Sequence, residues 1–122
     1  MSTSTAITTL ETLAAIHRCN DESQLYTQIV HNFARLPHFS WIGVYLETEG
    51  LPMLAASSAD TPLDSLARQS ILQIPIGTEE EYYGKLTIIA RPSCTIDEAD
   101  YMGLTKIGHE LGKKITTLRT SE

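Results

Sequence analysis

Ile71-Leu72-Gln73-Ile74-Pro75-Ile76, a turn from Gly77 to Tyr82, then Tyr83-Gly84-Lys85-Leu86-Thr87-Ile88-Ile89: this stretch decides the fold. Two apolar, β-branched runs around a short acidic turn read as a β-hairpin. In the second run Leu86, Ile88 and Ala90 fall on one face and Lys85, Thr87 and Ile89 on the other, because strand side chains alternate. The first of those faces is wholly apolar and has to be covered. A cover follows directly: Thr95-x-x-Glu98 has the form of a capping box and opens a helix with the stripe Tyr101, Leu104, Ile107, Leu111, Ile115 and Leu118.

Upstream, Phe39 to Glu47 is aromatic and β-branched, a strand, and Thr48-Glu49-Gly50 turns it into a return strand from Leu51 to Ser58. Pro52 near the start of that strand suits an edge position, since proline donates no ladder hydrogen bond. Thr61-Pro62 then reads as an N-cap and first helical residue of a short helix reaching Gln69. Two helices precede the strands. Residues 6–19 place Ile7, Leu10, Leu13, Ala14 and Ile16 on an apolar stripe, with Thr8, Thr9, Glu11 and Thr12 opposite. Asn20 ends that helix, and Asp21, with Gln24 three residues on, caps a second one to Leu36 that buries Leu25, Ile29, Val30 and Phe33. Pro37 stops it, because proline disfavours helical geometry in the residue before it. The order is αα-ββ-α-ββ-α, an α/β chain of α+β type, read as one domain over residues 1–122 with a core from about 6 to 117.

At 122 residues the chain buries roughly 65–70% of the surface its unfolded form exposes. Its hydrophobic fraction of 42% and charged fraction of 20% are those of a globular protein, with fraying expected only at residues 1–5 and 119–122. A formal charge of −6 and nine scattered basic residues argue against nucleic-acid and anionic-membrane partners, which need clustered Lys and Arg. The adjacent Lys113-Lys114 pair suits the negative end of the last helix dipole. No apolar stretch reaches the roughly 18 residues that span a bilayer, and no signal peptide is visible, so the expected location is cytoplasmic. Cys19 and Cys94 stand alone and read as free thiols.

Taken in order, these pieces resemble a GAF domain with a shortened roof, over about residues 6–117. The carriers are the capped helix Asp21 to Leu36, the strand Trp41-Ile42-Gly43-Val44-Tyr45-Leu46 with its turn at Glu49-Gly50, Ile74-Pro75-Ile76, Gly84-Lys85-Leu86, and Thr95-Ile96-Asp97-Glu98-Ala99-Asp100 running into Leu111-Gly112-Lys113-Lys114-Ile115. The resemblance implies an antiparallel sheet with the terminal helices on one face and loops roofing a small-molecule pocket on the other. Here the roof region, Ala59 to Ser70, is only about a dozen residues, which leaves room for a small ligand or none.

Strand alternation then assigns the roof face. If Ile42, Val44, Leu46, Leu86 and Ile88 face the helices, the roof face carries Trp41, Gly43, Tyr45, Tyr83, Lys85 and Thr87, with Gln73 beside them. Trp41, Tyr45, Gln73, Tyr83, Lys85 and Thr87 are therefore the candidate ligand-binding residues: apolar walls with a few polar groups. Lys85 suits a small anion or a carboxylate. The competing reading is plain packing, with Trp41 and the tyrosines lying under a short helix and Lys85 reaching to water.

No cofactor is called for. His17, His31, His38 and His109 show no metal-ligand spacing, Glu79-Glu80-Glu81 reads as a solvated turn, and neither a serine nucleophile elbow nor a phosphate loop is present. The Trp41 to Leu46 strand also resembles that of free methionine-R-sulfoxide reductases, which are stand-alone GAF proteins acting through roof-region cysteines. This chain has no cysteine between Cys19 and Cys94. The functional expectation is thus a non-enzymatic signalling sensor for a small molecule or anion, the alternative a ligand-free interaction module. The resemblance also implies a homodimer through the terminal helices. Gly103, Gly108 and Gly112 serve either close helix pairing between copies or close packing of the helix on its own sheet.

Overall fold

The computed structural model describes residues 3–36, 39–58, 70–91 and 96–120. Three helices, α1 (Thr3–Arg18), α2 (Glu22–Ala34) and α3 (Glu98–Thr120), and four strands, β1 (Phe39–Thr48), β2 (Leu51–Ser57), β3 (Ser70–Gly77) and β4 (Tyr82–Ala90), make an α+β fold. The strands form one antiparallel sheet in the order β2-β1-β4-β3. The short helix expected over residues 62–69, and with it the roof, lies outside the described residues, as do Pro37, His38, Cys94 and Thr95.

Local chemistry sets the element ends. Asp21 caps α2, its Oδ1 accepting from Ser23 N at 2.9 Å and Gln24 N at 3.4 Å. This satisfies donors that the first helical turn cannot pair. The capping box of α3 differs from the sequence expectation: Asp97 Oδ1 accepts from Asp100 N at 2.7 Å and Asp100 Oδ2 from Asp97 N at 3.2 Å. Asp97-x-x-Asp100 is thus the reciprocal box, two residues beyond Thr95-x-x-Glu98. Between β1 and β2, Glu49 (φ 55°) and Gly50 (φ 81°) are both left-handed, as a two-residue type I′ hairpin turn requires. Pro52 lies on β2, at the sheet edge where the sequence put it.

One apolar core lies between the sheet and the helices. Ile42, Val44, Ile74, Ile76, Leu86 and Ile88 from the sheet meet Leu25, Ile29 and Phe33 of α2 and Leu104, Ile107, Leu111 and Ile115 of α3, all fully buried. Tyr101, read as part of the α3 stripe, is exposed instead. The α3 glycines answer to the sheet: a Cβ on Gly108 would lie 2.2 Å from Pro75 O, and one on Gly112 2.4 Å from Gly77 C. Helix and strand touch backbone to backbone there, so the intramolecular explanation holds for these two glycines.

The face of α1 is the clearest departure. Ile7 is 50% and Leu10 67% exposed, whereas Thr8, Thr9 and Thr12 are buried. The reason is hydrogen bonding: Thr12 Oγ1 donates to Thr8 O at 2.7 Å and accepts from Asn32 Nδ2 at 3.3 Å, and Gln28 Nε2 donates to Asn32 Oδ1 at 3.1 Å. The helix turns a small-residue polar seam toward α2, because a buried amide and hydroxyl that satisfy each other cost little and threonine permits close approach. Arg119, expected to fray, is tied down. Its guanidinium donates to both Glu22 carboxylate oxygens, at 2.7 and 3.2 Å, and lies 5.2 Å from the Tyr83 ring centroid.

Candidate functional site

The roof face is set by register. Three ranks cross β1, β4 and β3: Trp41–Ile89–Ile71, Gly43–Thr87–Gln73 and Tyr45–Lys85–Pro75. Members of a rank sit on adjacent strands with their side chains on the same side, the geometry in which cross-strand pairs interact. Five of the six sequence-assigned residues, Trp41, Tyr45, Gln73, Lys85 and Thr87, therefore share one face. Their helix-side neighbours Ile42, Val44, Leu86 and Ile88 belong to the main core, as alternation requires.

Tyr83 does not join them. Ile76 pairs with Gly84 but Gly77 pairs with Tyr82, so Tyr83 is the extra residue of a β-bulge. A bulge breaks the period of two and redirects the side chain. The Tyr83 ring packs against the helix-side core, its hydroxyl is 2.5 Å from Thr116 Oγ1, and Arg119 lies over it. Tyr83 is thus an anchor for the end of α3. Glu22 completes this clasp; its carboxylate also accepts from Tyr26 OH at 2.6 Å. The Arg119 hydrogen bonds hold Glu22 below the usual carboxylate pKa, and burial together with the Glu22 carboxylate pushes the Tyr26 phenol upward.

The floor of the roof face has a particular shape because of Gly43. A Cβ there would lie 2.2 Å from Trp41 Cη2 and under 3 Å from two further ring atoms, so the indole lies across the glycine. Its ring centroid is 6.3 Å from that of Tyr45, at 43°. A glycine interrupting an aromatic and β-branched run signals such close approach, and that signal was present in the sequence. Trp41 (2% exposed), Ile89 (3%) and Thr87 (8%) are buried yet stand on the opposite side of the sheet from the main core.

Polar groups surround this apolar patch. Lys85 Nζ donates to Gln73 Oε1 at 3.4 Å and forms no ion pair among the described residues; Glu47, further along β1, is exposed. Thr87 Oγ1 is buried without a hydrogen-bond partner. Such a hydroxyl carries an uncompensated desolvation cost of roughly 1–3 kcal/mol.

Elsewhere the chemistry is sparser. Cys19 packs against the helix-side core, and its thiol donates to Asp21 O at 3.2 Å. Among the described residues no group of three His, Cys, Asp or Glu could hold a metal ion, and no helix is long and apolar enough to cross a membrane. Glu79, Glu80 and Glu81 are exposed at the hairpin tip, where Thr78 Oγ1 accepts from the backbone of Glu80 and Glu81. An open cleft of about 530 Å³ separates that tip from His109 and Lys113 of α3.

No family model and no curated protein sequence matches this chain. Solved structures do. The fRMsr of Staphylococcus aureus in complex with substrate superposes with a TM-score of 0.74 at 13% identity, over 94% of this chain and 97% of that one. A protein of Burkholderia vietnamiensis described as a GAF sensor gives 0.70 at 7% identity, over 98% and 92%. The GAF domain of a sensor histidine kinase from Pseudomonas syringae pv. tomato gives 0.59 at 15%, over 96% and 88%. At these identities the likeness is one of fold, and that fold carries both sensors and an enzyme.

Proposed function

Starting from a GAF-like fold, we propose that this chain is a sensor domain that binds a small molecule on the roof face, through Trp41, Tyr45, Gln73, Lys85 and Thr87, and acts by binding rather than catalysis. The observation that carries this reading is the second buried patch. Trp41, Ile89 and Thr87 are withdrawn from water on the side of the sheet away from the helices, with an unpartnered hydroxyl among them. Apolar walls with a few polar groups aimed at one place are what a small-ligand site needs. A cytoplasmic signalling role accompanies this proposal.

Screening a metabolite panel by thermal shift tests it, with the fluorescence of Trp41, the chain's single tryptophan, as a second readout. A true ligand raises the midpoint and changes the emission, and Gln73→Tyr, which fills the middle rank, abolishes both. A response that survives Gln73→Tyr unchanged refutes the site. A reductase reading finds less support: Cys19, the described thiol, packs on the helix side of the sheet, away from the roof-face residues.

A second reading, pairing of two copies through α1 and α3, is favoured by a specific observation. Ile7 and Leu10 on α1 and Tyr101 and Met102 on α3 are large apolar side chains left in solvent. Sedimentation equilibrium of the chain and of Leu10→Glu tests it. A dimer that Leu10→Glu converts to monomer supports the pairing, and a monomer at all concentrations refutes it.

A further inference from the structure

We infer that the outer edge of β2 is a docking surface for an extended, cationic segment of a partner protein, whose apolar side chains cover Leu51, Met53 and Leu54 and whose lysine or arginine side chains meet Glu47 and Glu49. This adds a protein partner to the small-molecule reading and does not depend on it. In sequence β2 is apolar, yet in the fold its first half is unburied. Residues 51–55, Leu-Pro-Met-Leu-Ala, are all exposed, Leu51 at 66%, Met53 at 58% and Leu54 at 43%. Successive strand residues point to opposite faces, so exposure of the whole run leaves both faces of this half of β2 open to water. Leu51 and Met53 pair with Thr48 and Leu46 on the helix side, and Leu54 pairs with Tyr45 on the roof side. Further along, Ala56 packs on the core and anchors the strand. The opposite edge of the sheet differs: in β3, Ile74 and Ile76 are buried, and Gly108 and Gly112 of α3 lie against its backbone. An uncovered apolar strand at a sheet edge is where a segment of another chain adds on.

Charge selects that chain. Glu47 pairs with Pro52 across the ladder, and Glu49 forms the turn that leads into Leu51. Both carboxylates are exposed, and neither forms an ion pair among the described residues. The second hairpin tip, with exposed Glu79, Glu80 and Glu81, stands at the same end of the sheet, because β4 begins where β1 ends. The summed field of these groups attracts a cation to the edge and repels an anion. A second copy of the chain is the wrong occupant: residues 47–58 contain no lysine or arginine, so two β2 edges brought together would add carboxylates without a countercharge. Pro52 donates no ladder hydrogen bond, and Ala55 is the extra residue of a bulge. Regular pairing is thereby kept short, and side chains rather than a long ladder decide what binds.

The test titrates the whole chain, at physiological ionic strength, with a synthetic peptide of alternating lysine and valine as long as β2, and with its glutamate–valine counterpart. Binding is followed by the anisotropy of a dye on the peptide and by the amide signals of the protein in NMR. The lysine–valine peptide should bind saturably, at least about tenfold more tightly than the glutamate–valine one, since like charges set side by side are strongly disfavoured. The amide signals of Met53, Leu54 and Ala55 should shift and exchange more slowly with solvent. Met53→Lys, at an exposed position, should keep the thermal midpoint of the parent and lose the binding. Equal affinity for the two peptides overturns the cationic assignment. A lysine–valine peptide that leaves the β2 amides unchanged, or that binds Met53→Lys as it binds the parent, overturns the β2 edge as the surface. Shifts of the β2 amides on concentrating the protein alone would show that a second copy occupies the edge and would overturn the partner. No saturable binding of the lysine–valine peptide overturns the inference outright, while the roof-face reading keeps its own metabolite screen.

Discussion

Replacing Thr87 by valine should make this protein more stable. The Thr87 hydroxyl is 8% exposed at the residue level, its oxygen is buried, and it meets no partner. Burying such a group costs roughly 1–3 kcal/mol relative to leaving it solvated, and valine keeps the shape while removing the polar atom. Valine is at least as well suited to the middle of a strand paired on both sides, as Thr87 is with Gly43 and Gln73. The expected gain is about 1–2 kcal/mol, which at this chain length raises the melting temperature by roughly 3–6 °C per kcal/mol. Urea unfolding followed by circular dichroism measures it directly, with an unchanged slope showing that the native state is intact. A Thr87→Val protein less stable than the parent would refute the reasoning, because it would mean that the hydroxyl is satisfied.

Gly43→Ala should cost about 1–3 kcal/mol, because its methyl would press into the face of the Trp41 ring, and should shift Trp41 emission to the red as the indole lifts; in a Trp41→Leu background, followed by circular dichroism, the same change should cost far less. Gly108→Ala should lower stability by about 1–3 kcal/mol even though alanine is the better helix former, since the added Cβ meets the Pro75 carbonyl. Arg119→Ala should cost on the order of 1 kcal/mol at neutral pH, as the guanidinium pairs with a partly exposed carboxylate. The Glu22 pKa is lowered in the folded state, so the stability it contributes is present above its unfolded value near 4.3 and is lost as pH falls through the lower folded value. The difference between parent and Arg119→Ala should therefore be full at pH 7 and shrink below about pH 4, as urea midpoints across that range will show.

What could be read in advance was whatever obeys a period. The two faces of the sheet follow from alternation, which is why Trp41, Tyr45, Gln73, Lys85 and Thr87 come together as expected. Tyr83 failed for the complementary reason: a bulge is one residue without a partner, and no count of apolar positions announces it. The α1 face was misread because hydropathy ranks isoleucine and leucine above threonine, whereas the helix interface is decided by Asn32, a polar residue on another helix. The α3 cap was misread by two positions because two boxes of the same spacing overlap, and hydrogen bonds chose the one with Asp97. Gly43 was legible as a position but not as a bed for the indole, which depends on where Trp41 turns. The Arg119–Glu22–Tyr83 clasp joins residues 97 and 36 apart in sequence to one point, beyond the reach of any local pattern.

The bulge at Tyr83 also makes the hairpin's length a determinant of its fate. Tyr83 and Lys85 would share a face in a regular strand, and it is the single unpaired residue that sends one to α3 and leaves the other on the roof side. Deleting one residue between Gly77 and Gly84 would spare every pairing from Ser70–Ala90 to Ile76–Gly84, and hence all three ranks, while taking away the anchor of the last helical turn. A change in hairpin length is therefore a way for relatives of this chain to free the last turn of α3 while the sheet ranks stay in place.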